Sequence, residues 1–114
     1  MSSYSYRMYN IAMVQGAYYL ITGLWPLFHI ESFEKVTGPK VDIWLVKTVG
    51  LLTATIGLFL ILTANDQRTN ILGVLSAASF AGVDLFYGLR GRISRVYVVD
   101  GIIEVFFALI WLWL

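Results

Sequence analysis

The chain has 114 residues, of which 59% are hydrophobic and 13% charged, with a formal charge of +1. A soluble domain of this size could not hide so much apolar surface, and average soluble domains carry about a quarter charged residues. The charge is too small for a nucleic-acid binder, and the absence of cysteine excludes a disulfide framework and thiol chemistry.

A helix needs about 20 mostly apolar residues to cross the hydrocarbon core. Four stretches qualify: residues 9–28, 41–64, 70–89 and 96–114. The expectation is an all-α, integral-membrane four-helix transmembrane bundle, a single domain over residues 1–114, with sequential helices antiparallel. Met1-Ser2-Ser3-Tyr4-Ser5-Tyr6-Arg7 leads into a long apolar run without a small-residue cleavage site. The first segment therefore reads as a retained helix and not as a signal peptide.

Between the first two spans, Ile30, Phe33 and Val36 recur at helical spacing, and Glu31 and Lys35 stand four apart. This link reads as a short amphipathic turn at the interface, broken by Thr37-Gly38-Pro39. Asn65-Asp66-Gln67-Arg68-Thr69 and Arg90-Gly91-Arg92-Ile93-Ser94-Arg95 are tight polar turns. The first and third links carry Lys35, Lys40, Arg90, Arg92 and Arg95, against Arg7 and Arg68 on the other side. The positive-inside rule then places both termini outside. Tyr4, Tyr6, Tyr9, Trp111 and Trp113 would form an outer aromatic belt, and Trp25 and Trp44 an inner one. Leu20-Ile21-Thr22-Gly23-Leu24 and Leu85-Phe86-Tyr87-Gly88-Leu89 are alike enough to suggest two copies of a helical hairpin.

Lys47, Asp84, Asp100 and Glu104 lie inside the apolar spans. At a rise of about 1.5 Å per residue, they lie about 9, 8, 6 and 12 Å in from the same side. Each costs roughly 2.5–3.5 kcal/mol at mid-bilayer on insertion scales, so such residues normally face inward and find partners. Small residues mark close packing faces: Gly73, Ala77, Ala81 and Gly88 in line with Asp84; Gly50, Ala54 and Gly57 in line with Lys47; and Ala12, Gly16 and Gly23, with Tyr19 among them, in the first helix. A polar cluster made by the second, third and fourth spans is expected, with Lys47 as counter-charge within salt-bridge or single-water distance of at least one of the acids. Glu104, the deepest acid, is expected to be neutral, and Lys47→Met to harm the fold more than Glu104→Gln. Gln15 stands nearby but towards the other end.

The functional reading is a site for a proton, an ion or a small polar or amphiphilic ligand, recognised or transported, in a homo-oligomer if transport needs a wider path. An accessory protein whose cluster only locks the helices is the alternative. A membrane-embedded enzyme using the three acids as acid–base groups comes third, so enzyme activity is not the leading expectation. Arg90, Arg92 and Arg95 are candidates for lipid phosphate, beside their ordinary role as a topology signal. One histidine, His29, and no cysteine provide no metal or haem site, and no cofactor is expected.

Val36-Thr37-Gly38-Pro39-Lys40-Val41-Asp42-Ile43-Trp44-Leu45-Val46-Lys47-Thr48, and Gly91-Arg92-Ile93-Ser94-Arg95-Val96-Tyr97 with Asp100 and Glu104 after it, resemble stretches of small bacterial membrane proteins. The layout is loosely similar to the DoxX-like four-helix families. The resemblance implies a bacterial inner-membrane location and no particular activity. The small multidrug-resistance transporters share the length and helix count, but their key glutamate lies in the first helix, where this chain has Gln15.

Overall fold

A computed structural model describes residues 3–114 as five helices and no strand: α1 Ser3–Phe28, α2 Ile30–Thr37, α3 Ile43–Leu62, α4 Thr69–Leu89 and α5 Val96–Trp113. Four of them, α1, α3, α4 and α5, are long and apolar enough to cross a membrane. They match the four expected spans within two residues at most ends. The exception is the start of α1, which runs six residues further because Met8 and Ile11 continue the buried face of the helix. Large apolar side chains such as Ile21, Leu52, Leu62, Ile71 and Phe106 remain exposed, as lipid-facing residues do.

The spanning helices form two close antiparallel pairs, α1 with α3 and α4 with α5. Glycine sets the first pair. A Cβ built on Gly23 would lie 2.5 Å from the Gly50 carbonyl oxygen, and one built on Gly57 would lie 2.5 Å from that of Gly16. The backbones touch at these two levels, which is the close approach small residues allow in a membrane. In the second pair, Gly101 receives Leu85 and Gly88 receives Val98. Gly23 and Gly88, the matching glycines of the two similar stretches, thus each face the next spanning helix of their own pair.

The links are locally specified. His29 caps α2, its Nδ1 accepting from the Ser32 N–H, and the Trp25 indole donates to the Ser32 hydroxyl at 2.8 Å. Phe33 packs edge-on against Trp25, so α2 folds back on the end of α1. The expected Glu31–Lys35 pairing is not formed: both side chains are exposed, and Asp66–Arg68 is the ion pair found among the described residues. In the α3–α4 turn, Thr69 donates to the Thr63 carbonyl at 2.6 Å, and Asp66 accepts from the Arg68 N–H. The Arg68 guanidinium, with the bond from the Arg68 N–H, holds the Asp66 carboxyl below its usual range. After α4, Gly91 at φ +72° donates to the Gly88 carbonyl and Arg92 donates to the Tyr87 carbonyl, a Schellman closure that needs the left-handed residue.

Candidate functional site

The interior polar groups come from α1, α4 and α5. On α1, Gln15 and Tyr19 stand one turn apart on the buried face, at 0% and 1% exposure, with Tyr18 beside them. On α5, Asp100, Glu104, Phe107 and Trp111 follow at spacings of four, three and four, so they share a face. On α4, Asp84 and Gly73 are both buried, and the Gly73 carbonyl is open to a donor from α1.

The hydrogen bonds form a directed chain. The Trp111 indole N–H donates to Gln15 Oε1 at 2.6 Å. Gln15 Nε2 donates to the Gly73 carbonyl at 3.0 Å and to the Tyr19 hydroxyl at 3.0 Å. Tyr19 then donates to Glu104 Oε1 at 2.6 Å. An indole nitrogen can only donate, so the amide oxygen of Gln15 must face Trp111 and its nitrogen must face Tyr19. The Tyr19 hydroxyl accepts from Gln15, and its single proton is left for Glu104. The donors from Trp111 through Gln15 and Tyr19 therefore run towards one carboxyl, with a side branch from Gln15 to the Gly73 carbonyl. A second tyrosine, Tyr18, donates to Asp100 Oδ1. The rings of Tyr18, Tyr19 and Phe80 pack edge-on or tilted around Phe107 and one another, which fixes both phenols.

The three acids form one group. Asp100 interacts with both Asp84 and Glu104. Asp84 lies against the α5 backbone where Gly101 leaves room: a Cβ there would sit 3.1 Å from the Asp84 Cβ. Asp84 is 6% exposed, and its Oδ2 has no hydrogen-bond partner. Among the described residues, no three acidic or histidine side chains converge closely enough to hold a metal ion.

Two expectations are corrected here. Lys47 is half-buried on α3 and forms no ion pair with Asp84, Asp100 or Glu104. The glycine contacts seat α3 on α1, and the backbones of α3 and α5 do not approach each other, so the shared depth of the four groups does not pair the lysine with the carboxyls of α5. The cluster is completed instead by α1, which supplies hydroxyl and amide groups and no charge. Trp111 is not part of an aromatic belt: it is 4% exposed and bonded to Gln15. Trp113 and Tyr6, from the same expected belt, are well exposed, as is Trp44.

The arginines stay outside the cluster. Arg90, Arg92 and Arg95 are all exposed at the α4–α5 turn, and the Arg90 guanidinium lies 4.1 Å above the Phe86 ring centre. Two clefts of about 540 Å³ open on the molecule, one at the α3–α4 turn beside Asp66 and one at the α4–α5 turn beside Arg90 and Arg95. None of Lys47, Asp84, Asp100 and Glu104 lines either. No family model, curated protein or solved structure matches the chain.

Proposed function

We propose that this is a multi-pass protein of the bacterial inner membrane, with both termini outside, whose Asp84–Asp100–Glu104 cluster binds and releases a proton. The observation that carries the reading is three carboxyls near enough for their charges to interact, served by two tyrosine hydroxyls, with no cation paired to them among the described residues. Two carboxylates about 4 Å apart repel by roughly 4 kcal/mol at an effective dielectric of about 20. Shared protons remove that repulsion without any metal, which would need oxygens converging more closely than these do. Asp84 Oδ2, buried and without a partner, is the place where a proton can be taken up with least rearrangement. Proton exchange at such a site suits recognition or transport of a small polar ligand or ion. The resemblance of the layout to DoxX-like proteins supports the location and leaves the cargo open.

Infrared spectroscopy of the protein in lipid tests this directly. A protonated carboxyl has a carbonyl stretch distinct from the carboxylate bands. The wild type is expected to show that band at neutral pH and to lose it on titration to alkaline pH. Asp84→Asn, Asp100→Asn or Glu104→Gln should remove or shift it. A wild-type spectrum with carboxylate bands alone would overturn the proposal.

A second reading is favoured by the closed chain from Trp111 to Glu104. All of its groups are buried and none lines a cleft, which is what a purely structural lock between α1 and α5 requires. Under that reading, the protonated-carboxyl band would not change across the pH range in which the fold is stable.

A further inference from the structure

The cleft at the α4–α5 turn is lined by Arg90 and Arg95 together with the apolar Leu89, Val98 and Val99. No acidic residue lines it, and neither arginine has a carboxylate partner, since the ion pair among the described residues is Asp66–Arg68. Arg92, the third arginine of the turn, is exposed but does not line the cleft. Leu89 and Val99 are themselves exposed and belong to the ends of α4 and α5, two of the helices apolar enough to span a membrane. Two uncompensated guanidinium groups therefore meet an apolar wall at the level where a membrane-crossing segment ends. The Arg90 guanidinium sits over the Phe86 ring, and none of its N–H groups has a hydrogen-bond partner among the described residues.

We infer that this cleft is a binding site for one anionic phospholipid, with its phosphate on Arg90 and Arg95 and the start of its acyl chains along Leu89, Val98 and Val99. Arginine suits this role because its planar fork pairs with phosphate oxygens two at a time. The apolar wall favours a lipid over a soluble anion, because it has no use for phosphate alone. The charge favours an anionic head group over a zwitterionic one, whose own cation would meet two arginines. The site is independent of the carboxyl cluster, whose residues do not line the cleft.

The position of Arg92 makes the inference testable. A diffuse attraction between a basic loop and an anionic membrane would use all three arginines alike, whereas a built site uses two. Thermal unfolding of the full chain in neutral detergent would be followed with added phosphatidylglycerol, phosphatidylcholine or inorganic phosphate. Phosphatidylglycerol is expected to raise the midpoint by several degrees, and the other two to leave it unchanged. Arg90→Gln and Arg95→Gln should each remove at least half of the rise, and Arg92→Gln should preserve it. All three side chains are exposed, so midpoints without lipid serve as the folding control. Should a glutamine variant fail to fold, Arg90→Lys and Arg95→Lys replace it, and they too should weaken the rise, because an ammonium cannot pair bidentately. Loss of the rise in Arg92→Gln, or an equal rise with phosphatidylcholine or with inorganic phosphate, would overturn the site.

Discussion

The Tyr19 hydroxyl lies 2.6 Å from Glu104 Oε1, and both side chains are almost completely buried. The same hydroxyl accepts from Gln15 at 3.0 Å, so its proton and one lone pair are both committed. This single oxygen ties α1 to α5 across the gap between the two helix pairs, where backbones stay further apart than within each pair. Its role is to link an uncharged network to the acid cluster.

Tyr19→Phe removes that oxygen and leaves one Gln15 N–H and one Glu104 oxygen without partners in a dry interior. A buried group stripped of its partner costs about 1–3 kcal/mol, so the variant should lose about 2–4 kcal/mol. Glu104→Gln keeps an acceptor for Tyr19 and should cost less, about 1 kcal/mol. Thermal unfolding of both variants in one detergent checks the order. If Glu104→Gln unfolds at the lower temperature, Glu104 is ionised and its charge is what Tyr19 serves.

The contact between α1 and α3 makes a prediction of a different kind. A Cβ at Gly23 would meet the Gly50 oxygen at 2.5 Å and the Ala54 nitrogen at 2.6 Å, and both are backbone atoms that cannot swing aside. Gly23→Ala should force the helices apart and cost about 1–3 kcal/mol. Gly82→Ala is the matched control: nothing lies within 4 Å of the added carbon, and the residue is exposed. There the substitution should be neutral or slightly stabilising, because alanine favours helix by about 0.5–1 kcal/mol. Equal losses at the two sites would mean that α1 and α3 do not meet at these glycines.

The spans were legible because hydropathy over 20 residues depends on local composition alone, and the small-residue stripes correctly marked Gly16, Gly23, Gly50 and Gly57 as packing positions. Asp84 and Glu104 were also rightly placed inside, because a charged group facing lipid is costly. The pairing of sequential spans, α1 with α3 and α4 with α5, was legible from the short links; what could not be read was how the two pairs are turned toward each other, and so that α1 and not α3 faces the acids of α5. Depth along the membrane put Lys47 level with the acids, but depth says nothing about rotation around the bundle. Trp111 was misplaced for a related reason. A tryptophan near a helix end normally anchors at the interface, yet Trp111 falls two turns after Glu104 and so shares its inward face. That spacing was present in the sequence. So was the pair of Gln15 and Tyr19 on the glycine stripe of the first helix, which signals a buried polar network more specifically than the charges did.

Lys47 provides the last prediction. Its side chain is half-buried on α3, the backbone of its helix does not approach that of α5, and it is not ion-paired to any of the three acids. A lysine in this setting lays its methylene stem along apolar surface and sends its ammonium towards the nearest water. Lys47→Met keeps the length and the stem of the side chain and removes only the charge. The structure therefore expects a small effect, within about 1 kcal/mol, and well below that of Tyr19→Phe. This reverses the expectation from sequence, in which the lysine was the counter-charge whose loss would strand buried carboxylates. Unfolding midpoints of Lys47→Met, Tyr19→Phe and Glu104→Gln at neutral pH decide between the two. If Lys47→Met is the most damaging of the three, its ammonium reaches the cluster through water, and the acids then need one proton fewer to balance their charge. The same variant should in that case strengthen the protonated-carboxyl band in the infrared. If Lys47→Met is nearly silent and the band is unchanged, the carboxyls balance their charge among themselves.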